Sequence, residues 1–128
     1  MPHYRISEAA ELLGVSDDTV RRWIEAGRVP AGSGGGPRTI EGADLAALAQ
    51  ELPQIRAAPG GSSARNRFTG LVTKVTVDAV MAQVELQCGA FRVVSLLSAE
   101  AVRELGLAPG VRAVASVKST NVVVEVAQ

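Results

Sequence analysis

Two short polar stretches carry the side chains best suited to holding a small anion. Ser63-Ala64-Arg65-Asn66 sets a hydroxyl and a guanidinium two residues apart, and Lys118-Ser119-Thr120-Asn121 adds an ammonium and further hydroxyls near the C-terminus. Such groups donate hydrogen bonds and positive charge to one tetrahedral oxyanion, which needs many donors but little net charge. Ser98 adds another hydroxyl ahead of a short predicted helix, residues 99–105. Helix N-termini present amides to anions. A pocket forms only if the fold brings these distant stretches together.

A second set suits a polyanion. Thr19, Arg21 and Arg22 lie on the outward face of a predicted helix over residues 17–26, whose Val20, Trp23 and Ile24 face inward at helical spacing. Arginines so placed can neutralise phosphates or read guanine edges in a major groove. Arg38 follows the glycine-rich run 32–36 and suits a wing that reaches the backbone or the minor groove. That run lacks the Gly-Lys-Ser/Thr ending of a phosphate-binding P-loop. Trp23 reads as core by its spacing, Asn66 as a structural turn residue, and the lone His3 as without a role. No nucleophile–base pair, carboxylate pair or metal-ligand cluster is legible, so neither an enzyme nor a free metal cation nor an organic cofactor is expected.

The elements that must position these residues fall into two halves. Residues 1–56 set six arginines against eight carboxylates, whereas residues 57–128 set seven basic side chains against five acidic ones. Neither half has the strongly basic body that would announce nucleic acid by charge alone. Each is small enough for its own core to be marginal, which makes oligomerisation an expectation. Residues 57–62, with Pro59, Gly60, Gly61 and Ser62, read as a flexible tether. One cysteine, Cys88, allows no internal disulfide and fits a cytoplasmic setting. No apolar run approaches the length of a membrane span, and no membrane partner is expected.

In the first half, Ser7 is the expected cap of a helix through Leu13, Gly14-Val15 makes a turn, Ser16 caps the second helix and Gly27 ends it. A short strand at 38–40 and a third helix over residues 42–52 follow, giving a small winged helix-turn-helix of the all-α class. In the second half, strands are expected at 68–77 with Leu71, Val75 and Val77 apolar, at 80–88 with Val80, Ala82, Val84, Leu86 and Cys88 inward, and at 91–97, 111–117 and 121–127. Five strands with a helix between the third and fourth match an OB-type barrel, and the whole chain reads as an α+β protein of two domains.

The motifs carry two resemblances. Ile6-Ser7-Glu8-Ala9-Ala10, Leu13-Gly14-Val15-Ser16, Thr19-Val20-Arg21-Arg22-Trp23, Gly27-Arg28-Val29-Pro30 and Arg38 resemble the MerR/excisionase-like winged helix-turn-helix group over roughly residues 4–52. That resemblance implies double-stranded DNA as partner, with Thr19, Arg21 and Arg22 entering the major groove and Arg38 on the wing. Ser63-Ala64-Arg65-Asn66, Gly70, Glu104-Leu105-Gly106-Leu107 with Pro109-Gly110, and Val117-Lys118-Ser119-Thr120 resemble the molybdate-binding Mop-type TOBE domain of molbindins over residues 63–127. It implies a molybdate or tungstate ligand held between subunits by Ser63, Ala64, Arg65, Ser98, Ala101, Lys118 and Ser119. It also implies a homo-oligomer, at least a dimer and up to a trimer of dimers. Domains are therefore expected at 1–56 and 63–128, joined by 57–62. The leading functional expectation is a molybdate- or tungstate-binding transcriptional regulator, and the alternative is a molbindin-type storage protein with an accessory helix-turn-helix.

Overall fold

The computed structural model describes residues 2–32, 36–52 and 61–127. The chain divides into two compact units, Met1–Gln54 and Ile55–Gln128, each with its own core. The expected tether lies mostly outside the described residues, as do residues 33–35 of the expected wing.

In the first unit, β1 (His3–Arg5) runs straight into α1 (Ile6–Leu13), α2 (Asp17–Glu25) follows a tight turn, and β2 (Thr39–Glu41) leads into α3 (Gly42–Glu51). The unit is helical with one antiparallel ribbon, in which Tyr4 faces Ile40. That ribbon moves the start of α1. The sequence places the cap at Ser7, whereas the structure places it at Arg5, whose backbone N–H donates to Glu8 Oε1 at 2.9 Å. Pairing with β2 holds the chain extended as far as Arg5, so the helix begins at the next residue.

Gly14 adopts φ 69°, a left-handed conformation open to glycine, and Val15 N–H then closes onto Ala10 O at 3.0 Å. Ser16 caps α2 as expected, accepting from Thr19 N–H. Val20, Val29, Ile40, Leu45 and Leu48 form the core with Ala9 and Ala10, and Trp23 packs against it as the sequence reading required.

The second unit is a curled antiparallel sheet with one short helix, an OB-like half-barrel. Its strands are β3 (Asn66–Val77), β4 (Met81–Cys88), β5 (Phe91–Ser98) and β6 (Arg112–Val117), hydrogen-bonded in the order β5-β4-β3-β6. Helix α4 (Ala99–Leu105) packs on β4 and β5, burying Ala99 and Val102.

In this second unit the structure departs from the sequence reading in three places. The register of β3 against β4 slips between Val72 and Lys74. This bulge reverses the alternation, so Val72 before it and Val75 after it both face the core, whereas Leu71 is about half exposed; Val77, at the strand end, is about half exposed as well. Thr73 uses the slip to donate its hydroxyl to Glu85 O. Second, β4 begins at Met81, because the Asp78 carboxylate takes the N–H groups of Val80 and Met81 in the turn; Val80 is exposed. Third, the stretch expected as a fifth strand pairs with nothing. Ser119–Asn121 form a short 3-10 turn, and Val123, Val124 and Val126 are 84–91% exposed. A strand needs a partner edge, and none is offered to it among the described residues of this chain.

Candidate functional site

Register puts the first polar stretch beside the second. Asn66 pairs with Val117 at the end of the β3–β6 ladder, so Arg65 and Lys118 are the next residues on either strand. The Asn66 side chain donates to Val117 O at 3.1 Å and ties the two strands together, a structural use consistent with its reading as a non-ligand. Ser63, Arg65, Lys118 and Ser119 are exposed, and Ala64 is buried. Arg65 Nη1 donates to Ser63 O at 3.3 Å, which folds the guanidinium back over its own segment. Ala64 N–H donates to Ser62 Oγ at 3.0 Å, so Ser62 also shapes this stretch. Sequence reasoning passed over Ser62; the doubled Ser62-Ser63 was its only signal.

Ser98 and Ala101 lie elsewhere. Ser98 pairs with Met81, beyond the Val77 end of β3, whereas Lys118 follows the Asn66 end. The 12 residues of β3 separate them, roughly 36 Å of extended chain. Within one protomer the seven oxyanion candidates therefore form two groups at opposite ends of the sheet. At the second end the hydroxyl and the amide are engaged with each other: Ser98 Oγ accepts from Ala101 N–H at 3.0 Å, and Ala99 N–H donates to Val80 O. The Ser98 hydroxyl proton stays available to an acceptor.

Between these ends the concave face of the sheet is an open trough of about 480 Å³ with Val84, Leu86, Val93, Leu97, Leu107 and Ala115 among its walls. Glu85, on the other face, is buried and bonded to the Arg92 guanidinium. Cys88 is buried, its thiol directed at Phe68 O, as the reading of an inert thiol required.

On the first unit, Thr19, Arg21, Arg22 and Arg38 all reach the surface. Arg22 Nη2 donates to Thr19 Oγ1 at 3.2 Å, and Arg21 Nη1 bonds Asp18 Oδ1 at 3.1 Å. Arg28 lies 5.7 Å from the Trp23 ring centroid and pairs with Glu51 at 3.6 Å, joining the end of α2 to the end of α3. Arg38 stands just before β2, where Gly32 N–H donates to Thr39 O at 2.8 Å and closes the base of the wing. Among the described residues no group of three or more His, Cys, Asp or Glu side chains gathers as a metal site. Among the described residues no helix is long and apolar enough to cross a membrane.

Helix, glycine turn and helix with a β-ribbon, followed by an OB-like half-barrel, define a protein of two modules. Comparison with known proteins gives the modules their families. Residues 4–53 match the model of the helix-turn-helix domain and residues 62–124 that of the TOBE domain. Along the chain the helix-turn-helix match precedes the TOBE match. Similar curated proteins are the uncharacterized 12.0 kDa proteins of insertion element IS6110 from Mycobacterium tuberculosis and Mycobacterium bovis. Each is 43% identical over 54 residues, 41% of this chain and 50% of the relative, so the chain spans about half the length of the curated relatives it matches. Three solved structures are similar to about half of this chain. A molybdate binding protein from Sporomusa ovata is 28% identical at a TM-score of 0.49, covering 50% of this chain and 96% of that one. MopII from Clostridium pasteurianum is 36% identical at 0.49, covering 52% and 100%. The cytoplasmic molybdate-binding protein ModG, with molybdate bound, is 39% identical at 0.47, covering 53% and 50%.

Proposed function

We propose that the chain is a cytoplasmic DNA-binding transcriptional regulator that responds to molybdate or tungstate, with the oxyanion held between copies of the second unit. The observation that carries this reading is the Asn66–Val117 register, which sets Ser63, Arg65, Lys118 and Ser119 side by side on a chain that also bears a helix-turn-helix. Two formal charges with several hydroxyl and amide donors suit a tetrahedral dianion. Ser98 and Ala101, at the far end of the sheet, join the same pocket only if a second copy supplies them. The exposed valine tail supports such a homodimer: an unpaired segment with Val123, Val124 and Val126 bare in one copy complements an apolar trough left open in the other. Double-stranded DNA is the partner of α2, through Thr19, Arg21 and Arg22, with Arg38 on the wing. Oxyanion binding at the dimer interface then changes the spacing or availability of the two heads. The reading includes no catalysis and no organic cofactor.

The test is calorimetry on the full chain with molybdate, tungstate and sulfate, in wild type and Arg65→Ala. Binding present in wild type and lost in the variant supports the site; equal weak heats in both overturn it. A second reading, a molbindin-type storage protein with an accessory helix-turn-helix, has its own observation: the exposed face of α2 carries Asp17, Asp18 and Glu25 against Arg21 and Arg22. Several oxyanions bound per assembly, with duplex binding unchanged by millimolar molybdate, would favour storage.

A further inference from the structure

Those carboxylates call for an account. Ser16 already caps α2, and Asp17 in the first turn already complements the helix dipole. Asp18 does something different: its Oδ1 holds Arg21 Nη1 at 3.1 Å while the two side chains remain 87% and 52% exposed. An exposed pair of this kind adds little to stability, and a carboxylate on a face meant for phosphates weakens binding to any duplex. Its effect is geometric. A guanidinium has five N–H donors in a rigid planar fork. Fixing one nitrogen on Asp18 orients the plane and leaves a second pair of parallel donors free. Bidentate contact with guanine O6 and N7 needs such a pair, and the N-terminal part of a recognition helix is the part that meets base edges. Arg22, by contrast, is drawn toward the N-cap by the Ser16–Thr19 hydroxyl pair, with Thr19 Oγ1 accepting from Arg22 Nη2.

We infer that Asp18 is a positioning residue for Arg21: it holds the guanidinium where it reads a guanine edge and keeps it off the phosphates. Asp18 thus trades affinity for any duplex against selectivity for one with a G·C pair under the first turns of α2. This rests on the DNA reading above.

Selection from a random-sequence duplex library, with the full chain at one salt concentration, tests it on wild type, Asp17→Asn, Asp18→Asn and Asp18→Glu. An alternating A·T duplex serves as the non-specific probe. Both asparagine variants remove one negative charge and should bind the A·T duplex more tightly. Only Asp18→Asn should lose the preference for guanine at one position, by about tenfold, the scale of one bidentate base contact. Asp18→Glu should restore part of that preference. A selected guanine that survives Asp18→Asn, or falls equally in Asp17→Asn, overturns the inference and leaves the DNA reading standing. A wild type that enriches no sequence overturns both.

Discussion

The two units solve the burial problem differently. The first closes on itself: Val20, Val29 and Ile40 are 0–1% exposed, and Tyr4, Ile6, Val15 and Trp23 pack around them. The second buries Val72 and Val84 to 1–2% exposure, yet leaves a trough open and Phe91, Leu96, Leu105 and three tail valines largely exposed. Apolar surface of this extent on one small unit is what the proposed dimer would cover. A head that needs only its own residues can act as a reading device wherever it is carried. On the proposed reading, a sheet with unpaired chain at its end is completed by another copy, and the signal enters there.

The largest expected effect removes that completion. A chain ending at Asn121 should lose its oligomer in light scattering and its molybdate binding in calorimetry, while the helical signal of the first unit persists. An unchanged mass would mean that the valine tail is idle. Next in size, Ile40→Ala removes a fully buried side chain at the β-ribbon. It should cost the first unit about 2–5 kcal/mol, seen by chemical denaturation, and leave oxyanion binding intact. Loss of both activities together would show that the units are not independent. Gly70→Ala strikes the second unit more gently. A Cβ there would come within 2.5 Å of Cys88 Sγ and Gln87 O, so β3 and β4 must part slightly. About 1–3 kcal/mol of destabilisation is expected, confined to the second unit.

The contrast between the units also explains what the sequence could reveal. Helix caps and glycine turns are local, and Ser16, Gly14 and the apolar spacing of α2 placed the helix-turn-helix correctly. The start of α1 was misread because its cause, pairing of β1 with β2, lies some thirty-five residues away in the chain. In the second unit the alternation in β4 was plain, since Ala82, Val84, Leu86 and Cys88 all face the core. The bulge at Thr73 was not, because an extra residue in one strand is defined only against its partner. The residues 121–127 looked like a strand and are strand-like in composition; what they lack is an edge within one chain. For the site, the pairing that sets Arg65 beside Lys118 required the register, but their donor chemistry needed only the residue types. The division of the seven candidates between two ends of the sheet was invisible, since no motif records the direction of β3.

The smallest effect separates local from shared stabilisation within the second unit. Asp78 turns β3 into β4, its Oδ1 accepting from Val80 and Met81 N–H at 2.8 Å each. These two backbone hydrogen bonds, Met81 first, hold the carboxyl below its ordinary value of 3.8 although it is fully exposed. Hydrogen bonds to the charged form favour ionisation in the folded state, so the unfolded chain takes up the proton first as the pH drops. The stabilisation is therefore complete above the unfolded value of 3.8 and disappears as the pH falls through the lower folded value. Asp78→Ala should be less stable than wild type near neutral pH, and the gap should narrow in acid below the ordinary carboxylate range. Because the turn needs only its own residues, that gap should be the same for the full chain and for the chain ending at Asn121. A gap that shrinks on truncation would tie this hairpin to the oligomer and blur the line between self-contained and shared structure.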